Sequence, residues 1–82
     1  MMTIDVKFFA SLRDAAGLDA CRLELAPGAR GHDVKAALSR RYRRLEGITD
    51  DVRLAVNGVY RSWETPIADG DELALIPPVS GG

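Results

Sequence analysis

The residues best suited to chemistry close the chain, in the run Ile76-Pro77-Pro78-Val79-Ser80-Gly81-Gly82. Glycine has no Cβ, so two in succession can thread a tight channel that bulkier side chains would block. The last group is then the carboxylate of Gly82, whose carbonyl carbon is sterically bare. Pro77 and Pro78 each fix φ and remove an amide donor, which ends a preceding strand and projects the following residues as a semi-rigid spur. Fully extended, residues 77–82 reach roughly 20 Å at about 3.3–3.6 Å per residue. That length is enough to enter another protein's pocket.

Other candidate sets are weaker. Asp69, Asp71 and Glu72 offer carboxylates for a metal, but Asp69-Gly70-Asp71 is also ordinary turn chemistry and no further spaced ligand follows. Asp50-Asp51 reads as a solvated loop. His32 is the one histidine and Cys21 the one cysteine, which leaves no cysteine-rich metal site and no internal disulfide. Cys21 alternates with Leu23 and Leu25, so it is expected on an inward strand face as a small apolar residue rather than as a nucleophile. Trp63 and Glu64 read as loop packing. No Ser-His-Asp set, phosphate-cradling glycine loop or buried carboxylate pair can be assembled. An enzyme acting alone is disfavoured, and neither a bound cofactor nor a metal is expected.

Composition points the same way. Eighty-two residues, 46% hydrophobic, make one domain with room for a core but hardly for a deep catalytic cleft as well. Eleven Lys and Arg against twelve Asp and Glu give a net charge of −1 and no general attraction to nucleic acid. Arg40, Arg41, Arg43 and Arg44 read as a solvated helix face. No apolar run approaches a membrane span, and Met1–Lys7 breaks its apolar residues with charge, unlike a signal peptide. A cytoplasmic protein is the expectation, with no nucleic-acid or membrane partner.

The elements that must position the tail follow from hydrophobic period. Ile4, Val6 and Phe8 alternate as a first strand with one buried face, with Phe9 on the opposite parity. Ser11–Ala16 is room for a single helical stretch ended by Gly17. Ala20–Leu25 alternates as a second strand, close enough to the first for a hairpin, and Pro27-Gly28 closes it. Val34, Ala37, Leu38, Tyr42 and Leu45 form one stripe of a helix over Asp33–Leu45, started by Gly31 or Asp33 and ended by Gly47. Val52, Leu54 and Val56 lead into Asn57-Gly58, the dipeptide for a two-residue hairpin turn, and Val59-Tyr60 turns back. After Asp69-Gly70-Asp71 comes the last strand, Glu72–Ile76. One mixed sheet of about five strands on one main helix results, an α+β protein. With the last strand beside the first in the middle, this is a β-grasp (ubiquitin-like) fold over residues 1–76, followed by an extended tail at 77–82.

If Leu73 and Leu75 face the helix, alternation sends Ala74 and Ile76 to the outer face with Phe9. Apolar residues there, at the root of the tail, make a docking patch for a partner.

The tail Pro77-Pro78-Val79-Ser80-Gly81-Gly82, the preceding Asp69-Gly70-Asp71-Glu72-Leu73-Ala74-Leu75-Ile76 and the opening Phe8-Phe9-Ala10-Ser11-Leu12-Arg13 together resemble the small subunit of molybdopterin synthase, over essentially the whole chain. The resemblance implies a ubiquitin-like sulfur carrier. Gly82 then corresponds to the acceptor of AMP and afterwards of sulfur. Gly81 corresponds to the threading glycine within a tail of Pro77, Pro78, Val79 and Ser80, and Phe9, Ile76, Ala74 and Arg13 to partner-binding positions. A ubiquitin-activating-type enzyme would use ATP to adenylate Gly82, and a sulfur donor, a cysteine desulfurase or rhodanese-like protein, would convert it to a thiocarboxylate. The large subunit, joined with the carrier in a heterotetramer, would hold the catalytic groups that move sulfur to cyclic pyranopterin monophosphate in molybdenum cofactor biosynthesis. A β-grasp carrier for thiamin or cysteine synthesis, or a protein modifier, is the alternative. The family's helix usually begins with Ser or Thr, where this chain has Arg30-Gly31-His32.

Overall fold

A computed structural model describes residues 1–45 and 51–78. Strand β1 (Met2–Phe8) is followed by a short helix α1 (Ala10–Ala16), strand β2 (Ala20–Leu25), helix α2 (Gly31–Arg41), a 3-10 turn at Arg43–Leu45, and strands β3 (Arg53–Val56), β4 (Val59–Arg61) and β5 (Glu72–Ile76). The sheet order is β2-β1-β5-β3-β4. β1 and β5 are parallel at the centre, and the other three pairings are antiparallel. This is the β-grasp arrangement expected from the order of the periodic segments.

Alternation decides the core. Ile4, Val6, Leu54, Leu73 and Leu75 lie on one face at 1% exposure or less, against Val34 and Leu38 of α2 and Leu45 of the 3-10 turn. Each such side chain contributes about 1.5–3 kcal/mol by leaving water. Both sequence hairpins form. Asn57 and Gly58 take φ of 51° and 83°, the left-handed pair that a tight two-residue turn needs. Asn57 also bonds sideways: its Oδ1 accepts from Glu72 N–H and its Nδ2 donates to Asp71, both at 2.9 Å, so the β3–β4 turn is tied to the start of β5. Gly17 ends α1 at φ 78°.

Two expectations about α2 are corrected. Its α-helical part stops at Arg41, and Tyr42 takes extended backbone before the 3-10 turn. Tyr42 and Leu45 still pack on the core because that turn swings them back. The proposed end at Gly47 lies outside the described residues. At the start, neither Gly31 nor Asp33 is the capping position; Arg30 is, and the Asp33 carboxylate reaches back to accept from the Arg30 backbone N–H at 2.8 Å. An acid in the first turn suits the positive helix end. Gly31 serves a different purpose, because the chain at Trp63 runs directly across it.

Among the described residues no helix is long and apolar enough to cross a membrane.

Candidate functional site

The site is the root of the tail and the sheet face beside it. β5 carries the chain out of the centre of the sheet, and Pro77 and Pro78 follow without strand pairing. Half-buried Pro77 and exposed Pro78 therefore mark where the tail departs. Val79, Ser80, Gly81 and Gly82 lie outside the described residues. From Pro78, four further residues span at most about 13–14 Å.

Register places the outer face residue by residue. Lys7, Ala74, Ala55 and Tyr60 form one cross-strand row through β1, β5, β3 and β4, and Ile76 sits opposite Arg53 in the next. Ala55 is 7% exposed yet stands apart from the main core, so it and half-buried Ala74 form a small apolar floor on the outer side. Phe9 lies one residue beyond the Phe8–Leu75 pair, with extended backbone at φ −125°, which carries it to the level of Ile76. It is 46% exposed. Ala10 then takes φ 49°, a conformation strained for any residue with a Cβ, and turns the chain sharply into α1. Arg13 is exposed and lines, with Phe9, Lys7 and Asp19, a hollow of about 330 Å³.

Of the expected partner-binding residues, Ala74, Ile76 and Phe9 thus fall on or beside one face, and Arg13 lies next to Phe9. Ala74 and Ile76 are half-buried where full exposure was expected, because neighbouring strands shoulder them. The reading from sequence missed Tyr60, 61% exposed in the same row. The signal was present: Val59 pairs with Val56 across the Asn57-Gly58 turn, so Tyr60 must point the other way.

Charge on this face is arranged unevenly. On the β1–β2 half, Lys7 pairs with Glu72 at 2.7 Å and Arg22 with Asp5 at 3.1 Å. The hydrogen bond to Glu72 raises the Lys7 pKa further above its ordinary value. On the β3–β4 half, Arg53 stacks over Tyr60 with its guanidinium carbon 5.9 Å from the ring centroid.

The remaining candidates resolve as structural. Asp69 accepts from Thr3 N–H at 2.7 Å and Asp71 from Ala68 N–H at 2.8 Å, so both carboxylates are engaged in turn geometry. Glu72 is held by Lys7. Cys21 is half-buried against the core, and burial raises its pKa, keeping it a protonated thiol at neutral pH. Burial raises the neighbouring Tyr42 as well. Trp63 packs on the core and donates to the Val52 carbonyl at 3.1 Å, with Lys35 4.5 Å from its ring centroid. His32 lies on the surface at the helix start, 2.8 Å from Glu64.

The ThiS family model matches residues 6–82. The molybdopterin synthase sulfur carrier subunit of Chlamydomonas reinhardtii is 35% identical, the alignment covering 99% of this chain and 100% of that one. The crystal structure of SAMP1 from Haloferax volcanii superposes with a TM-score of 0.89 at 33% identity, over 98% of this chain and 99% of that one. A complex of subunits 1 and 2 of the molybdopterin-converting factor from Helicobacter pylori contains a chain with a TM-score of 0.69 at 24% identity, over 99% of this chain and 100% of that chain, a likeness of fold alone.

Proposed function

This chain belongs to the ThiS family, and we propose that it works as the sulfur carrier subunit of a molybdopterin synthase. The observation that carries the reading is the full-length likeness to a molybdopterin synthase sulfur carrier subunit, within a family match that extends through the Gly81-Gly82 end. The geometry at the tail root supports it: a central strand delivers the tail beside the small apolar patch of Ala55, Ala74 and Ile76.

Gly82 is the working residue. A carboxylate is a poor electrophile, so an ATP-using activating enzyme first joins Gly82 to AMP and releases pyrophosphate. A persulfide then attacks the acyl-adenylate and displaces AMP, and thiol cleavage of the new S–S bond leaves a Gly82 thiocarboxylate. Its sulfur is a better nucleophile than the oxygen it replaced. In the large subunit's pocket that sulfur passes to cyclic pyranopterin monophosphate. Enclosure of Gly81 and the Pro77–Ser80 stem positions the sulfur and limits hydrolysis. ATP, AMP and sulfur are thus handled at the terminus, and the catalytic groups belong to the partners.

The test is intact mass. Incubation with the activating enzyme, ATP and a sulfur donor should replace one terminal oxygen by sulfur at Gly82; an unchanged mass, under conditions that load a known carrier, refutes the reading. A second reading, a protein modifier, draws on the likeness to SAMP1. Recovery of isopeptide-linked proteins without any pterin-transferring subunit would favour it.

Phe9, Arg13, Ala74 and Ile76 are the proposed partner contacts. Phe9→Asp or Ile76→Asp places a charge in a desolvated apolar contact and should weaken binding of the large subunit roughly 30-fold, the scale of a 2 kcal/mol hot spot. Titration calorimetry giving wild-type affinity for both variants would remove this face from the interface.

A further inference from the structure

The cations borne by the sheet strands fall into two groups. Those of β1 and β2 are matched by carboxylates: Lys7 by Glu72 and Arg22 by Asp5. In the β3–β4 register Arg61 pairs with Leu54, so it leaves β4 on the opposite side of the sheet from Arg53 and Tyr60. Among the described residues, Arg53 and Arg61 stand in no ion pair. Both line a cleft of about 520 Å³ together with Tyr60, Trp63, Asp51 and Pro78. Pro78 is the last described residue of the tail, so this cleft flanks the point of departure. Arg53 is also directly cross-strand from Ile76.

We propose that Arg53 and Arg61 form a basic collar at the tail exit, which pairs with carboxylates of the large subunit at the mouth of the channel that receives the tail. This rests on the carrier reading above. Intramolecular pairing cancels the field of a surface charge beyond a short distance, whereas unmatched arginines keep theirs for an incoming partner. Arginine is suited to the task, because its planar fork binds a carboxylate through two parallel hydrogen bonds. The Tyr60 ring under Arg53 holds one guanidinium near the face and supplies apolar contact beside it. Arg53 is cross-strand from Ile76 of the proposed contacts, and Arg61 shares its cleft with Arg53 and Pro78, so a partner that receives the tail meets both arginines, with apolar contacts setting residence and the collar setting encounter rate.

The experiment measures association of the full-length chain with purified large subunit across ionic strength. Wild-type association should slow as salt rises. The Arg53→Glu, Arg61→Glu double variant should associate about tenfold or more slowly at low salt, with the salt dependence flattened or reversed. Arg53→Gln, Arg61→Gln should fall between, and serves if the charge reversal compromises folding. Arg40→Glu, Arg44→Glu on the helix side should match wild type. Wild-type rates and salt dependence in the collar variants overturn the proposal. So does a defect confined to adenylation by the activating enzyme, which would assign the collar elsewhere. The carrier reading fails separately, when the wild-type chain gains no sulfur.

Discussion

Removal of Gly82, or addition of one residue after it, should abolish sulfur transfer while the domain stays folded. On the proposed mechanism, deletion takes away the carbonyl that would accept AMP and leaves Gly81 too short by about 3.3–3.6 Å, one extended residue. Extension keeps Gly82 but turns its carboxylate, less one oxygen, into an ordinary peptide bond and presents a different terminus. A misplacement of even about 1 Å can cost on the order of 100-fold in a positioned reaction, so a full residue in either direction should reduce transfer to background. The core lies on the far side of β5 from this change, with Leu73 and Leu75 fully buried. Thermal unfolding should therefore be unchanged, and product formation is assayed with intact mass confirming that the extension is retained. Wild-type transfer from an extended chain would refute a terminal carboxylate mechanism.

Gly31→Ala should be the most damaging small change in the folded domain, although Gly31 is remote from the tail. A Cβ there would lie 2.6 Å from the Trp63 carbonyl oxygen, 2.9 Å from Trp63 Cα and 3.0 Å from Leu54 Cδ2. Two of these are backbone atoms, which cannot rotate away. Moving the Trp63 segment outward strains the bonds that fix it: Gly31 N–H donates to Thr65 O at 3.1 Å and His32 N–H to Trp63 O at 3.0 Å. Overpacking costs about 1–3 kcal/mol, and weakening two hydrogen bonds adds about 0.5–1.5 kcal/mol each. A loss of about 3 kcal/mol follows, lowering Tm by roughly 12–24 °C for a domain of this size. Calorimetry reads it directly, and a Tm within a few degrees of wild type would mean that the 62–66 segment moves aside freely. Better helix propensity of alanine, about 1 kcal/mol, is too small to compensate.

The two residues show where reading from sequence succeeds and stops. Asn57-Gly58 and Asp69-Gly70-Asp71 announce turns because positive φ and local side-chain bonding are demands met within a few residues. Ala20–Leu25 and Glu72–Ile76 announce strands because period two is written in consecutive positions, and both appear with those bounds. Gly31 gave no comparable signal. Next to Arg30 and His32 it looked like a helix cap, while its real constraint comes from Trp63, dozens of residues along the chain. Tyr42 and Leu45 kept the helical stripe but left the α-helix, since a 3-10 turn delivers the same buried face at a sharper angle.

The candidate site divides in the same way. Glycine's missing Cβ and proline's fixed φ are properties of single residues, so the sequence by itself pointed to Pro77–Gly82 as the narrow run best suited to chemistry, and alternation determined that Ala74 and Ile76 face away from Leu73 and Leu75. Only the tertiary structure decided what stands beside that run. Cross-strand register set Lys7, Ala74, Ala55 and Tyr60 in one row and Arg53 against Ile76. Those neighbours come from β1, β3, β4 and β5, and no local pattern specifies which residues of separate strands meet. Burial of one continuous core face imposes the register, and the outer face inherits its arrangement from it.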